Sequence, residues 1–207
     1  VKAVTETYVK NMAAMADSIL DPEVLELAHT SDGLPIVRGE RRARTVVLPA
    51  DGRLPLTENA RKRTSRRGPD FDLSNYEERP NWERCITSLG LPPVTGVGTT
   101  SVNPRHIIQT PKQVVIHTEY GDEARIIPFA TTHRPLELHS PLGDSIARWE
   151  GDTLVVETIG LPEGDRVRAF SNLIVPGDSK VIERFTRVSD NELLYQYTVE
   201  NPGIYNQ

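Results

Sequence analysis

The second half of the chain carries six runs of residues that favour β-strands, separated by short turn sequences. The runs are rich in β-branched and aromatic residues, which suit the pleated and half-buried surface of a sheet. Pairs such as Gly121-Asp122 and Gly151-Asp152 between the runs are typical of hairpin turns. The runs cover 112–120, 123–129, 145–150, 152–159, 180–188 and 192–199. Short links between successive strands predict an antiparallel meander.

A meander of this length has to bury one apolar face and protect two sheet edges. Curling into a barrel or half-barrel meets both needs most simply. The chain has 207 residues, of which 37% are hydrophobic, enough for one folded unit with its own core. We therefore predict a mainly β fold, with a lipocalin-like barrel or half-barrel body over 112–207.

Residues 1–111 differ from this body, because they combine helical periodicity with irregular stretches rich in proline and glycine. Tyr8, Met12 and Met15 recur at helical spacing and predict one amphipathic helix. Thr57 stands before a basic segment and predicts a helix that it caps, running to about Arg66. We expect 1–111 to form a helical and irregular arm that wraps the β body, so that both parts make one folded unit.

Charge is distributed unevenly between the two parts. The net charge is -5, yet the stretch from Arg38 to Arg67 holds ten basic residues against three acidic ones. Stacking aromatic residues are not interleaved with these charges, so we expect no nucleic acid as a partner. The arm is predicted to lie across the acidic body of its own subunit or of a neighbour, and the second case predicts a homodimer.

Several functional classes leave sequence signatures that this chain lacks. No stretch approaches the ~18 apolar residues of a membrane span, and Cys85 is the only cysteine, which excludes a disulfide framework. Phosphate-binding and dinucleotide-binding glycine motifs are also missing, so no cofactor is expected. Ser145 follows Gly143-Asp144 but precedes a strand, whereas the hydrolase nucleophile elbow precedes a helix.

Two histidines are the first candidates for acid/base chemistry. His117 and Glu119 lie two apart on a predicted strand, so both side chains leave the same face and can form a carboxylate-oriented imidazole. The alternative is that this face is simply exposed to water. His133 lies in the long proline-rich segment 128–143, where loops of a barrel mouth collect functional groups, and it is our first choice for the acid/base.

Metal binding is a further alternative for the same histidines. His117, His133 and His139 with one acid could supply ligands, but no motif spacing fixes them. Arg125 stands between isoleucines and needs an anionic partner inside a curled sheet, either a protein carboxylate or a substrate. We therefore predict that Arg125 contacts an anion or oxyanion.

The segment Arg148-Trp149-Glu150 carries alternating polar and aromatic residues before the turn at Gly151. We interpret it mainly as a folding element, with Trp149 in the core and Arg148 paired with Glu183 across strands. Residues predicted to bind a substrate around the catalytic group are His139, Asp144, Arg148, Tyr120 and Phe129.

Six segments together resemble a bacterial family of hypothetical proteins, often secreted or periplasmic, with a GRWEGDTLVV hallmark. They are WERCIT (82–87), IQTP (108–111), RIIP (125–128), GDS (143–145), RWEGDTLVV (148–156) and VIERFTRV (181–188). The resemblance runs from about Asp51 to the C-terminus. It implies a location in the periplasm or outside the cell, with the cytoplasm as the alternative.

The chain departs from this family at its polar positions. It has Asp122 where relatives place a histidine and Ile146 where they place an arginine, and Phe129 begins a segment that replaces DGRPH. His133 is retained. The departures imply that this member has a more apolar site than its relatives.

These observations favour a cofactor-independent lyase or isomerase that acts on a small, partly apolar, oxygenated or aromatic molecule in a barrel pocket. His133 is the predicted acid/base, assisted by Glu119 and His117, and Arg125 is expected to stabilise negative charge. The first alternative is a noncatalytic protein that binds a small hydrophobic ligand in the same cavity. The second is a metal-dependent hydrolase.

Overall fold

The computed structural model describes the β-rich second half of the chain nearly continuously and the first half in short pieces. The described residues are 36–37, 40–41, 48–49, 53–64, 76, 84–87, 90–94, 104–119, 121–138, 140–162 and 173–206. The predicted helix around Tyr8, Met12 and Met15 lies outside them. Within the described part, no helix has both the length and the apolar character that crossing a membrane requires.

The chain divides into two compact units, Val1–Leu54 with Val97–Val102 and Pro55–Gly96 with Asn103–Gln207. In the first unit, the strands β1 (Ile36–Val37) and β2 (Glu40–Arg41) pair antiparallel. The second unit contains every other element described below.

A three-stranded antiparallel sheet opens the β-rich part. Its order is β3 (Arg105–Gln109), β4 (Gln113–Thr118) and β5 (Glu123–Pro128). Burial alternates along β4 and β5, as expected when one face of a sheet is covered and the other is open. Gly121 and Asp122 occupy the turn between β4 and β5, and both adopt the positive φ that tight turns use.

A four-stranded antiparallel sheet follows, in the order β6 (Asp144–Glu150), β7 (Thr153–Ile159), β8 (Lys180–Arg187) and β9 (Leu193–Glu200). A 3-10 turn at Leu136–Leu138 lies in the connection from β5 to β6. All six strands that the sequence predicts are present, with ends that differ by at most two residues. The sequence did not predict β3, whose side chains are mostly exposed and show no clean alternation.

The two sheets share one hydrophobic core. Side chains from the inner face of each sheet pack in the same cluster, with Phe129 and Tyr195 against it. A parallel bridge between Phe129 and Ala147 links the segment after β5 to β6. The buried members of the cluster are Val94, Val114, Ile116, Ile127, Ala147, Leu154, Val156 and Phe185. The space between the sheets is therefore filled largely by aliphatic side chains.

A charged pair interrupts this apolar interior. Nη2 of Arg125, on β5, lies 2.7 Å from Oε2 of Glu183, on β8, and the side chains are 2% and 0% exposed. The same nitrogen lies 3.2 Å from the hydroxyl of Ser145 and 3.1 Å from that of Thr158. Arg125 thus bonds one sheet to three strands of the other. The protein carboxylate that the sequence required for Arg125 is Glu183.

Glu183 has two further donors. Its Oε1 accepts hydrogen bonds from the Tyr195 hydroxyl at 2.9 Å and from the backbone N–H of Val94 at 3.2 Å. Burial, followed by the charge of Glu183, raises the pKa of Tyr195 well above its usual value, so the phenol stays protonated and donates. The carboxylate is therefore surrounded by donors, as a buried charge requires.

Helix α1 (Glu58–Thr64) confirms the predicted cap at Thr57. The Thr57 hydroxyl accepts from the N–H of Ala60 at 3.2 Å and donates to the carbonyl of Gly203 at 3.0 Å. The backbone N–H of Thr57 also donates to Ile204, at 2.8 Å. These bonds tie the start of the helix to the C-terminal segment.

The predicted contact between Arg148 and Glu183 is wrong. Even-numbered residues of β6 and odd-numbered residues of β8 lie on opposite faces of the four-stranded sheet, so the two side chains cannot meet. Arg148 instead pairs with Glu150 at 2.9 Å on the outer face. Trp149 does point to the inner face, but it lies near the end of β6 and is 47% exposed rather than part of the core.

The buried pair gives a direct stability prediction. Replacing the carboxylate in Glu183→Gln leaves the Arg125 guanidinium in the core without its counter-charge, so we expect a loss of about 3–5 kcal/mol in the free energy of unfolding. Urea unfolding followed by tryptophan fluorescence measures it. Glu150→Gln, which removes an exposed carboxylate paired with two arginines, should have a much smaller effect. Equal effects would show that Arg125 does not depend on Glu183.

Candidate functional site

Strands β6 and β7 place neighbouring residues on opposite sides of the four-stranded sheet. Asp144 and Glu157 face outward, whereas Ser145 and Thr158 face the interior and bond to Arg125. This follows from the two-residue period of a strand. Two polar clusters are therefore attached to the same pair of strands, one on each face.

The outer cluster is centred on His133, which comes from the connection between β5 and β6. Its Nδ1 lies 2.8 Å from Oδ2 of Asp144, and its Nε2 lies 3.3 Å from Oε1 of Glu157. The imidazole is thus held between two carboxylates, and its side chain is 15% exposed. The predicted acid/base has its orienting partner within hydrogen-bond distance, which is the geometry that general acid/base catalysis needs.

Asp144 is the anchor of this cluster. It starts β6 and is buried, and it accepts bonds from His133, from the Arg134 guanidinium and from the Arg134 backbone N–H. Burial opposes ionisation, but the bonds from Arg134 and His133 outweigh it and hold the pKa of Asp144 below its usual value. Asp144 therefore stays ionised, with one oxygen shared between the imidazole and the backbone.

Glu157 leaves the second side of the imidazole more open. Its side chain is 26% exposed, against 2% for Asp144. The 3.3 Å separation from Nε2 is also longer than the bond on the Asp144 side. The Nε2 side of the ring is therefore the more open of the two, because Nδ1 is covered by a buried carboxylate.

His117 lies at a different place, on the outer face of the three-stranded sheet. Its Nε2 lies 2.7 Å from Oδ1 of Asp122, in the turn that follows β4. Glu119, the predicted partner, is exposed beyond the end of β4, and its backbone bonds to Pro104 and Asp122. The carboxylate beside His117 is therefore Asp122 and not Glu119. The two-residue period of a strand, which predicted that His117 pairs with Glu119, does not reveal this contact, because the turn folds Asp122 back toward the strand.

The four residues predicted to form the catalytic group are not brought together. His117 and Glu119 belong to the outer side of one sheet, His133 to the outer face of the other, and Arg125 to the interior between them. Strands β6 and β7 separate Arg125 from His133. An oxyanion formed beside His133 is thus out of reach of Arg125.

The predicted substrate-binding residues are also dispersed. Asp144 contacts His133, Phe129 packs against the core, and Arg148 pairs with Glu150 on the outer face. Tyr120 and His139 lie outside the described residues.

Sequence reasoning missed Glu157 and Arg134 as partners in the His133 cluster. Arg134 is adjacent to His133 and could have been proposed from the chain alone. Glu157 could not, because its contact depends on the pairing of β6 with β7 in a register that sets Ile146 opposite Glu157. The residues next to a single carboxylate on the outer face of a strand do not indicate which side chain it will contact.

Comparison of the chain with protein-family models, with curated proteins and with solved structures gives no match. Among the described residues, no group of three or more His, Cys, Asp or Glu side chains has a geometry that could hold a metal ion. The chemistry of the site therefore has to be argued from its own residues.

The lowered pKa of Asp144 predicts a pH dependence of stability. The ionised carboxylate stabilises the fold at pH values above its unfolded pKa of about 3.9, and this contribution is lost as the pH falls through the lower folded value. Asp144→Asn should cost roughly 1–3 kcal/mol at pH 7, and its difference from the natural protein should shrink as the pH falls below the unfolded pKa of about 3.9. Urea unfolding at several pH values measures both. A difference that is constant with pH would contradict this.

Proposed function

We propose that the protein is a cofactor-independent enzyme of the lyase or isomerase type that uses His133 as its general acid/base. The observation that supports this is the imidazole held between Asp144 and Glu157 at 2.8 and 3.3 Å. A proton-transfer catalyst needs an oriented imidazole, and at His133 a buried aspartate orients the ring while a more exposed carboxylate lies beside its other nitrogen.

The roles of the residues follow from the contacts. Asp144 fixes the tautomer and the orientation of His133 and stabilises the imidazolium formed when Nε2 takes a proton. Glu157 lies beside the same nitrogen, so its carboxylate can accept a proton from Nε2. Once protonated, Glu157 can donate a proton to a second atom of the substrate. Arg134 holds Asp144 in place and is 55% exposed, so its guanidinium also borders the solvent side of the cluster.

The reaction class follows from the chemistry that these groups supply. An imidazole and a carboxylate move protons, and shifting a proton next to a carbonyl group is the central step of many isomerisations and eliminations. The substrate we propose is a small, partly apolar, oxygenated or aromatic molecule. It would bind at the outer face of the four-stranded sheet and not between the sheets, where aliphatic side chains fill the space.

Proton abstraction can be tested without knowing the natural substrate. The protein is incubated in D2O with a panel of small cyclic and aromatic ketones, and deuterium uptake at the carbon next to the carbonyl is followed by proton NMR. We expect uptake above the buffer rate for at least one compound. His133→Gln should slow it by about 100-fold or more, the usual contribution of a general acid/base.

His117→Gln is the matched control. His117 is likewise bound to an aspartate, at 2.7 Å, but among the described residues no second carboxylate contacts its ring. Its replacement should leave deuterium uptake unchanged. Equal loss in both variants, or full uptake in His133→Gln, would defeat the assignment of His133.

A noncatalytic ligand-binding protein is the second candidate. It is favoured by the dispersal of His117, Glu119 and Arg125, which leaves His133 as the one predicted catalytic residue in a cluster suited to proton transfer. Saturable binding of a panel compound by calorimetry, with no deuterium uptake and no product by mass spectrometry, would favour this candidate over catalysis.

We further infer that the two sheets curve into a half-barrel, that the arm mediates a homodimer and that the protein is periplasmic or secreted. The shared core and the Phe129–Ala147 bridge support the half-barrel. The basic stretch from Arg38 to Arg67 supports the arm exchange, and the resemblance to the GRWEGDTLVV proteins supports the location. Sedimentation and cell fractionation test the last two.

A further inference from the structure

Strand β9 is the free edge of the four-stranded sheet. The strand order is β6, β7, β8 and β9, and the opposite edge, β6, continues into the segment after β5 through the bridge between Phe129 and Ala147. Among the described residues, β9 therefore has one neighbouring strand, which is β8. The open edge is eight residues long, Leu193–Glu200.

Half of the backbone groups of β9 point away from β8. The N–H of Val188 donates to the carbonyl of Glu192 at 3.0 Å, so these two residues are a hydrogen-bonded pair of the ladder between β8 and β9. Bonded and non-bonded pairs alternate along an antiparallel ladder, and the even-numbered residues of β9 therefore bond to β8. Four odd-numbered residues direct their N–H and C=O groups outward, and within the described part of the chain these groups have no backbone partner. They are Leu193, Tyr195, Tyr197 and Val199.

The sequence of β9 does not protect this edge. Natural sheets protect open edges with charged residues, prolines or bulges. The run 193–199 reads LLYQYTV and contains no charged residue, proline or glycine, and its pairing with β8 has no bulge. Leu193 is 49% exposed, and Gln196 and Thr198 are exposed as well. High β-propensity without charge on an open edge favours pairing with a further strand.

We propose that the protein forms a two-fold dimer in which β9 pairs antiparallel with β9 of a second copy. A register centred on Gln196 overlaps the whole uncharged run 193–199 of both copies. It also sets every outward N–H and C=O group of one copy opposite an acceptor or donor of the other, because odd-numbered residues then face odd-numbered residues. Main-chain hydrogen bonds supply the affinity, as in other contacts made by strand addition.

The side chains on the inner face suit this register. Tyr195 lies opposite Tyr197 of the partner subunit, and Leu193 lies opposite Val199 of the partner subunit. Directly opposed aromatic pairs and aliphatic pairs stabilise an antiparallel ladder. No charge lies within the overlapping runs, so close approach of the two strands is not opposed there.

The centre and the ends of the contact are also compatible with a second copy. Gln196 lies on the two-fold axis, where two amide side chains can bond to each other. At each end, Glu192 meets Glu200 of the partner subunit, and Lys180 of that subunit, whose Nζ lies 2.7 Å from its Glu200 carboxylate, supplies a counter-charge. A two-fold contact uses the β9 edge of both copies, so pairing through this edge ends at two subunits.

Amide hydrogen exchange of the full chain, followed by NMR, tests the pairing residue by residue. In dilute protein, the N–H groups that bond to β8 should exchange slowly, whereas those of Leu193, Tyr195, Tyr197 and Val199 should exchange fast. Raising the protein concentration should slow exchange at these four residues by about tenfold or more. Unchanged exchange at the four residues at every concentration would overturn the proposal.

Sedimentation measures the assembly itself. We expect a dimer that persists at high salt, because the paired run carries no charge and the contact does not depend on the basic arm. An exchange of basic arms onto acidic bodies would weaken as salt screens the charges. A monomer at all concentrations, or a dimer that salt dissociates, would exclude pairing through β9.

Gln196→Glu tests the register. Within its own sheet, Gln196 pairs with Arg184 across β8, so the monomer tolerates the carboxylate. On the two-fold axis the carboxylate meets its own copy, and we expect the dissociation constant of the dimer to rise by about tenfold or more. Gln196→Lys should also weaken the dimer. An equimolar mixture of the two variants should restore it, because opposite charges then meet on the axis.

Gln109→Glu is the matched control, because Gln109 is an exposed glutamine on β3, the edge strand of the three-stranded sheet. This variant should form the dimer as the natural protein does. Dissociation of the dimer in Gln109→Glu to the same extent, an intact dimer in Gln196→Glu, or a mixture that stays monomeric would each contradict a two-fold axis at Gln196.

Discussion

The buried ion pair between Arg125 and Glu183 is the interaction on which the β-rich unit depends most. A guanidinium and a carboxylate inside an apolar core are stable only together, because either alone keeps the full cost of leaving water. The pair joins the two sheets, and Ser145 and Thr158 extend it to two more strands. It thereby fixes how the inner faces meet, a matter that non-directional aliphatic packing leaves open.

The same strands that carry this pair also carry the outer cluster around His133. Asp144 and Glu157 face outward next to Ser145 and Thr158, which face inward. A shift of β6 against β7 by one residue would exchange the two sets and destroy both clusters. The strand register that builds the core therefore also sets the distances from His133 to Asp144 and Glu157. No interior residue takes part in the proposed reaction.

Three of the segments that resemble the GRWEGDTLVV proteins contribute residues to the two polar clusters. RIIP contributes Arg125, GDS contributes Asp144 and Ser145, and VIERFTRV contributes Glu183. Their polar residues have structural roles that explain their presence before any catalytic role is invoked. His133 differs, because it joins Asp144 from a connecting segment and places its other nitrogen beside the more exposed Glu157.

Local pattern in the sequence determined β4 to β9, the turns and the cap at Thr57, since period, turn chemistry and capping depend on residues a few positions apart, but it did not reveal β3. It also indicated that Arg125 needs an anion and that His133 is the histidine to examine. Only the tertiary structure decided that Glu183 is that anion, that Asp122 replaces Glu119 beside His117, and that Glu157 reaches His133. These contacts depend on the strand register and on which face of each sheet is buried. Neither can be read from a local sequence pattern.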